Sequence, residues 1–277
     1  MESSLREQLA NGTYRARQKL PTQAELAKEF GVSRDTIQRV LRKLTDEGWV
    51  ESRQGSGMRV LKVPEVEPPD RHPARQGTAS LGSMIHHAFE QPEVRLATFA
   101  LTSETLWNHL MVQVERVTTR KIRPPELVRM RILLPSETVK LAYPAATNPD
   151  DDRVWQRWRT MARRYAIEIT DLMTKLKGMG VDADVEIRRV PMTPQHKLYL
   201  INDDDLLFGL YELLERKIPL DDGTAVEALD VLGLGSLLSH HRRDPEGTES
   251  HDGRVFATMR ASFESYWERL SEAETVA

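Results

Sequence analysis

Residues 22–48 hold two amphipathic stretches separated only by Gly31-Val32-Ser33, and no other part of the chain restricts the fold so tightly. Thr22 stands three residues before Glu25, the spacing of a capping box, in which the two side chains satisfy backbone N–H groups left open at a helix start. The stretch TQAELAKEF then runs to Gly31, which suits the left-handed residue that closes a helix. Ser33 caps the next helix, where Ile37, Val40, Leu41 and Leu44 recur at i, i+3, i+4 and i+7 and define one apolar face. Gly48 ends it. A short helix is expected before these, over about residues 4–10, stopped by Asn11-Gly12. After them, WVESRQGSGMRV reads as two short strands around the turn Gln54-Gly55-Ser56-Gly57. Two helices across a tight turn followed by a two-stranded wing describe a winged helix-turn-helix.

In that motif the N-terminal residues of the second helix meet base edges in the major groove. Here they are Ser33, Arg34, Asp35, Thr36 and Gln38, with Arg39 and Arg42 one and two turns on. Arg matches the two acceptors of guanine, and Gln the donor and acceptor of adenine. Thr36 offers a methyl to thymine or a hydroxyl to phosphate, and Asp35 can take a cytosine amino hydrogen or orient Arg34. The glycines of the wing turn allow the backbone to approach phosphates or a minor groove closely.

Charge is distributed in the same sense. Residues 1–62 carry twelve Lys and Arg against eight Asp and Glu, a net +4, while the whole chain is at -3, so the remainder stands at -7. Asymmetry of this kind directs a polyanion to the basic segment. The chain has no cysteine, which excludes disulfides and thiolate metal sites. No apolar run approaches the roughly 20 residues of a membrane span, and MESSLREQLANG lacks the apolar stretch of a secretory signal. A cytoplasmic protein with no membrane partner is expected.

The stretch KLPTQAELAKEFGVSRDTIQRVLRKLTDEGWVESRQGSGMRV resembles the winged helix of the GntR family over nearly its whole length. Leu20-Pro21, Leu26-Ala27, Gly31-Val32-Ser33-Arg34, Thr36, Leu41, Leu44, Gly48 and Gly55-Ser56-Gly57 stand where that family has them. The resemblance implies a homodimeric regulator on a palindromic double-stranded operator, with Arg34, Thr36, Gln38 and Gly57 as leading contacts. Where the family often has Ser-Glu-Arg after Leu-Pro, this chain has Thr22-Gln23-Ala24, and Gln23 is the candidate to replace that contact.

Residues 63–80 contain Pro64, Pro68, Pro69 and Pro73 and read as a semi-extended linker. It divides a DNA-binding domain over 1–62 from an effector-binding or dimerising domain over 81–277. Strand-like 94–101, helical 103–117, strand-like 128–135, a long helix over 151–180 and a strand over 181–190 alternate. Residues 197–202 and 206–215 are expected to pair around Asp203-Asp204-Asp205, and 255–270 closes the chain as an amphipathic helix. The expected fold is therefore α+β: a winged helix-turn-helix joined to an α/β domain.

Within that second domain, QHKLYLINDDDLLFGLYEL resembles the core motif of the phospholipase D superfamily. The resemblance puts Gln195 in the nucleophilic His position, Lys197 in the Lys position and Asn202 in the Asp position, with Gly209 on the second strand. It implies a degenerate, non-catalytic domain, because glutamine cannot form the covalent phospho-intermediate. A polar ligand pocket at Gln195, Lys197 and Asn202 is the expectation, for a small-molecule effector of unknown identity. A phosphodiesterase or nuclease with a DNA-binding arm, and an architectural DNA-binding protein without effector, are the alternatives.

The pairs His86-His87 and His240-His241 have no carboxylates at ligand spacing, so neither a metal nor a cofactor is expected. His240-His241-Arg242-Arg243 reads as a polar loop. Asp150, Asp151 and Asp152 read as the first turn of the long helix, favoured by its dipole. Trp155 and Trp158 read as core or dimer contacts.

Overall fold

The structure, a computed structural model, describes residues 5, 9, 14, 18–46, 50–53, 57–60, 65–67, 79–220, 222–231, 238–246 and 248–273. Helix α1 is Gln23–Phe30 and α2 is Arg34–Asp46. The capping box forms: Thr22 N donates to Glu25 Oε2 at 2.7 Å and Glu25 N donates to Thr22 Oγ1 at 3.3 Å. Gly31 adopts φ 64°, and Val32 N donates to Ala27 O at 3.0 Å. A side chain strains in that left-handed region, which is why glycine turns the chain between the two helices. Thr22→Ala is expected to destabilise this segment by about 0.5–2 kcal/mol, and Thr22→Ser to retain most of it. Urea denaturation of both variants checks this, and equal midpoints would remove the cap from the account.

Strands β1 (Val50–Arg53) and β2 (Gly57–Val60) pair antiparallel, Val50 opposite Val60. A third short segment adds to them: Leu20 N donates to Met58 O and Val60 N donates to Gln18 O, both at 2.9 Å. Residues 18–20 are thus a sheet edge. The core of this unit is Leu5, Leu9, Tyr14, Leu20 and Leu26 packed against Ile37, Val40, Leu41, Leu44, Val50 and Val60. The apolar stripe read from the sequence is the buried face of α2.

The rest mixes helices with two sheets. Strands β3 (Glu65–Glu67) and β4 (Ala79–Ser80) lead to α3 (Leu81–Ala88). Then follow β5 (Glu93–Phe99), α4 (Glu104–Thr118), β6 (Leu127–Pro135), β7 (Ala145–Ala146) and α5 (Arg153–Gly178). Strands β8 (Asp182–Val190), β9 (His196–Ile201), β10 (Asp205–Leu210), β11 (Leu213–Pro219), β12 (Ala225–Val231) and β13 (Leu238–Arg242) come next. Helix α6 (His251–Arg269) and β14 (Glu272–Ala273) end the described chain.

The larger sheet has the order β14-β8-β6-β5-β9-β10-β13-β3-β4. Strands β5, β6 and β8 are parallel neighbours, connected through α4 and α5, whereas β9 runs antiparallel to β5. Alternation along each strand sends side chains to opposite faces. Val94 and Leu96, Met130 and Ile132, and Tyr199 and Ile201 face α3, α4 and α5. Ala97 and Phe99, Leu133, and Leu198 and Leu200 face Phe256, Phe263 and Trp267 of α6. The smaller sheet, β11-β12-β7, packs Ile218, Val226 and Ala228 against Val154 at the start of α5.

Four sequence expectations need correction. Residues 206–215 are not one strand: β10 ends at Leu210, and β11 begins at Leu213 in the other sheet. His240 and His241 lie not in a loop but on β13, paired with β10; His240 Nε2 meets Asp205 Oδ1 at 2.6 Å and His241 Nδ1 meets Asp252 Oδ1 at 2.7 Å. Those carboxylates satisfy a strand that looked too polar to be in a sheet. The linker is not simply a free connection: residues 65–67 and 79–80 form β3 and β4 on the sheet edge, while 63, 64 and 68–78 lie outside the described residues. Asp150, Asp151 and Asp152 precede the long helix rather than form its first turn: Asp151 grips Arg153, and Asp152 pairs with Lys140 at 2.7 Å. Trp155 and Trp158 pack in the interior, with Trp158 Nε1 donating to Leu101 O at 3.0 Å. Among the described residues, no cluster of three His, Asp or Glu could hold a metal ion. Nor, among the described residues, is any helix long and apolar enough to cross a membrane.

Candidate nucleic-acid interface

Burying Ile37, Val40, Leu41 and Leu44 turns the opposite face of α2 to solvent. Arg34, Asp35, Gln38, Arg39 and Arg42 are exposed there and Thr36 is half-buried. The spacing 34, 38, 42 runs down one side of a helix, and 35, 39, 42 runs beside it. The side chains of Arg34, Arg39 and Arg42 make no hydrogen bond or ion pair with any described residue. Their guanidinium donors are available for an outside acceptor. Ser33 is engaged within the chain: its Oγ accepts from Thr36 N at 3.2 Å and shares a hydrogen bond with Thr36 Oγ1 at 2.8 Å. These two hydroxyls fix the first turn of α2.

Gln23 is exposed at the start of α1. Gly57 begins β2 opposite Arg53. Gln54, Gly55 and Ser56 lie outside the described residues, as does most of the expected helix over residues 4–10. Lys19, counted with the basic residues but not named as a contact from the sequence, is exposed and pairs across the sheet with Arg59. A strand of three residues has too short a period to stand out in sequence.

The three residues proposed for ligand binding do not come together. Gln195 is exposed ahead of β9. Asn202, at φ 52° in the turn after β9, accepts from Arg95 N through Oδ1 at 2.8 Å and so secures the β5 edge. Lys197 alone enters a cavity of about 100 Å³. That cavity sits at the carboxyl end of β5, between the two sheets, a common place for ligands in α/β folds. Lys197 is 3% exposed, and its ammonium lies 5.7 Å from the centroid of the Tyr211 ring, within cation–π range. The Tyr211 hydroxyl accepts from Leu101 N at 2.9 Å. Burial raises the pKa of both Tyr211 and Tyr199 well above the ordinary phenol value, so both stay neutral.

Further walls come from Arg157 and Trp158 of α5 and from Arg216 and Asp230 of the smaller sheet. Asp230 is held by Arg216 through Nε at 2.7 Å, and Glu104 accepts from Tyr165 Oη at 3.0 Å. Sequence reasoning found Lys197 but missed the others, which come from distant segments and share no local pattern. The only local signal was a lysine inside the apolar run KLYLI.

Residues 1–60 match the family described as "Bacterial regulatory proteins, gntR family". The Histidine utilization repressor of Klebsiella aerogenes is 42% identical over 57 residues, which are 21% of this chain and 24% of that protein. The Mannosyl-D-glycerate transport/metabolism system repressor MngR of Escherichia coli (strain K12) is 47% identical over 53 residues, 19% of this chain and 22% of that one. The Probable transcriptional regulator PhnF of the same organism is 39% identical over 64 residues, 23% and 24% of the two chains. The N-terminal helix-turn-helix is therefore of the gntR type. The chain spans about a quarter of the length of these curated relatives, all of it in that N-terminal region.

Proposed function

We propose that this protein is a sequence-specific transcription regulator, a dimeric repressor on a palindromic double-stranded operator, working in the cytoplasm and controlled through its C-terminal domain. The observation that carries this reading is the exposed Arg34-Gln38-Arg42 side of α2, whose arginines are without partners among the described residues. The named repressors and regulators that match over the same segment support it. Two-fold operators suit dimers, because one recognition helix then enters each half-site.

No phosphodiesterase chemistry is assigned to the phospholipase D-like stretch. Gln195 offers no nucleophile, and the Asn202 carboxamide is bonded to Arg95. What remains of that likeness is Lys197, as a cation in a cavity.

A mobility-shift titration on the protein's own promoter region tests the reading. Binding is expected to be sequence-selective and to weaken steeply with salt, as phosphate contacts release counterions. Absence of selective binding there and across a genomic library would overturn it. Arg34→Ala is expected to weaken the specific complex by about 1–3 kcal/mol and relax preference at one base pair. An unchanged operator affinity would take Arg34 off the contact face.

A further inference from the structure

The cavity around Lys197 has a charge pattern and a size that together define a ligand class. Three cations line it, Lys197, Arg157 and Arg216, against two carboxylates, Glu104 and Asp230. Arg216 and Asp230 satisfy each other. Lys197 and Arg157 then stand against Glu104, an excess of one positive charge. Arg157, half-buried on α5, makes no hydrogen bond or ion pair with any described residue. A dianion would exceed the single positive charge in excess and meet repulsion from Glu104, and a cation would meet that excess positive charge. One part of the wall is apolar: Val154, Trp158, Met161 and Ile218 face the same space, which suits a carbon skeleton better than an inorganic ion.

Size narrows the class further. A cavity of about 150 Å³ accepts benzene, with its six heavy atoms. One of about 100 Å³ therefore suits a molecule of roughly four to six heavy atoms. The neutral phenol of Tyr211 and the first turn of α4, at Glu104 and Thr105, add hydrogen-bonding groups at the polar end.

We propose that this cavity binds a short-chain carboxylate, its carboxylate group facing Lys197 and Arg157 and its carbon chain against Trp158 and Met161, and that this is the effector site of the regulator. The effector role rests on the regulator reading above; the binding itself does not.

The test uses the full chain without DNA. Calorimetric titration and thermal denaturation are run with acetate, propionate, butyrate and lactate, with propionamide as the uncharged counterpart and inorganic phosphate as the polyanion. At least one carboxylate is expected to bind saturably and raise Tm, with propionamide and phosphate at least tenfold weaker. Arg157→Gln removes a charge that has no partner to lose, and is expected to weaken binding at least tenfold with Tm of the free protein unchanged. Lys197→Met keeps the aliphatic stem and is expected to do the same to binding. Failure of every carboxylate, equal binding by the Arg157→Gln variant, or preference for phosphate would overturn the proposal. A bound carboxylate that leaves operator affinity unchanged would overturn the effector role. Loss of operator binding in the free protein would count against the regulator reading alone.

Discussion

Ile37→Ala is expected to cost the N-terminal unit about 2–5 kcal/mol, the usual penalty for truncating a fully buried branched side chain, and with it operator binding. Ile37 is 0% exposed and sits among the eleven buried side chains of that small core. Units of about 60 residues bury a smaller fraction of their surface than larger domains and have little stability in reserve. The variant should therefore lose protection from hydrogen exchange over residues 18–60 while residues 93–269 keep theirs. DNA binding should fall far more than for Arg34→Ala, which removes one contact and leaves the helix in place. Wild-type exchange rates in α2 of the Ile37→Ala protein would refute this account of how the recognition face is held.

Acid should weaken the C-terminal unit through His109. This imidazole is 0% exposed on α4, and burial lowers its pKa from 6.5 to about 4. Between those values the unfolded chain binds a proton that the folded chain refuses. The contribution of the neutral, buried ring is thus complete above pH 6.5 and is lost as pH falls towards 4. Each pH unit in that window is worth about 1.4 kcal/mol, so about 2 kcal/mol is gone by pH 5. Most carboxylates are still largely ionised at that pH, so the histidine supplies the larger part of the loss. Burial lowers the pKa of His196 as well, which adds a slope of the same sign. Urea titrations at pH 7 and pH 5 should show the drop in the wild type and a much smaller one in His109→Leu. Equal drops in both proteins would exclude His109 as the source.

Local signals made the helix-turn-helix legible. A capping box, a left-handed glycine and a four-residue apolar stripe each act within one or two turns of helix, and all three were realised at Thr22, Gly31 and Ile37–Leu44. The β9–β10 pair was legible for the same reason, since Asn202 and Asp203 take the positive φ values of the turn. What failed to show depends on partners far along the chain. The polar strand His240–Arg242 stays in the sheet through Asp205 and Asp252, 35 and 11 residues away from the histidines they meet. The stretch after Leu210 leaves one sheet for another across two residues, with nothing in its apolar content to mark the change. The cavity collects the turn after β5, α4, α5, β9 and the smaller sheet, and only the fold brings Arg157 and Asp230 to Lys197.

The short strand β3 bears on how the two ends of the chain communicate. Only residues 61–64 separate the last residue of the wing, Val60, from Glu65, where the chain is already paired towards β13 and its buried Leu238. At no more than about 3.6 Å per residue, that leash reaches at most about 18 Å. The reading head is tethered at arm's length to the sheet edge. Any shift of that edge by more than this leash can span must carry the wing with it.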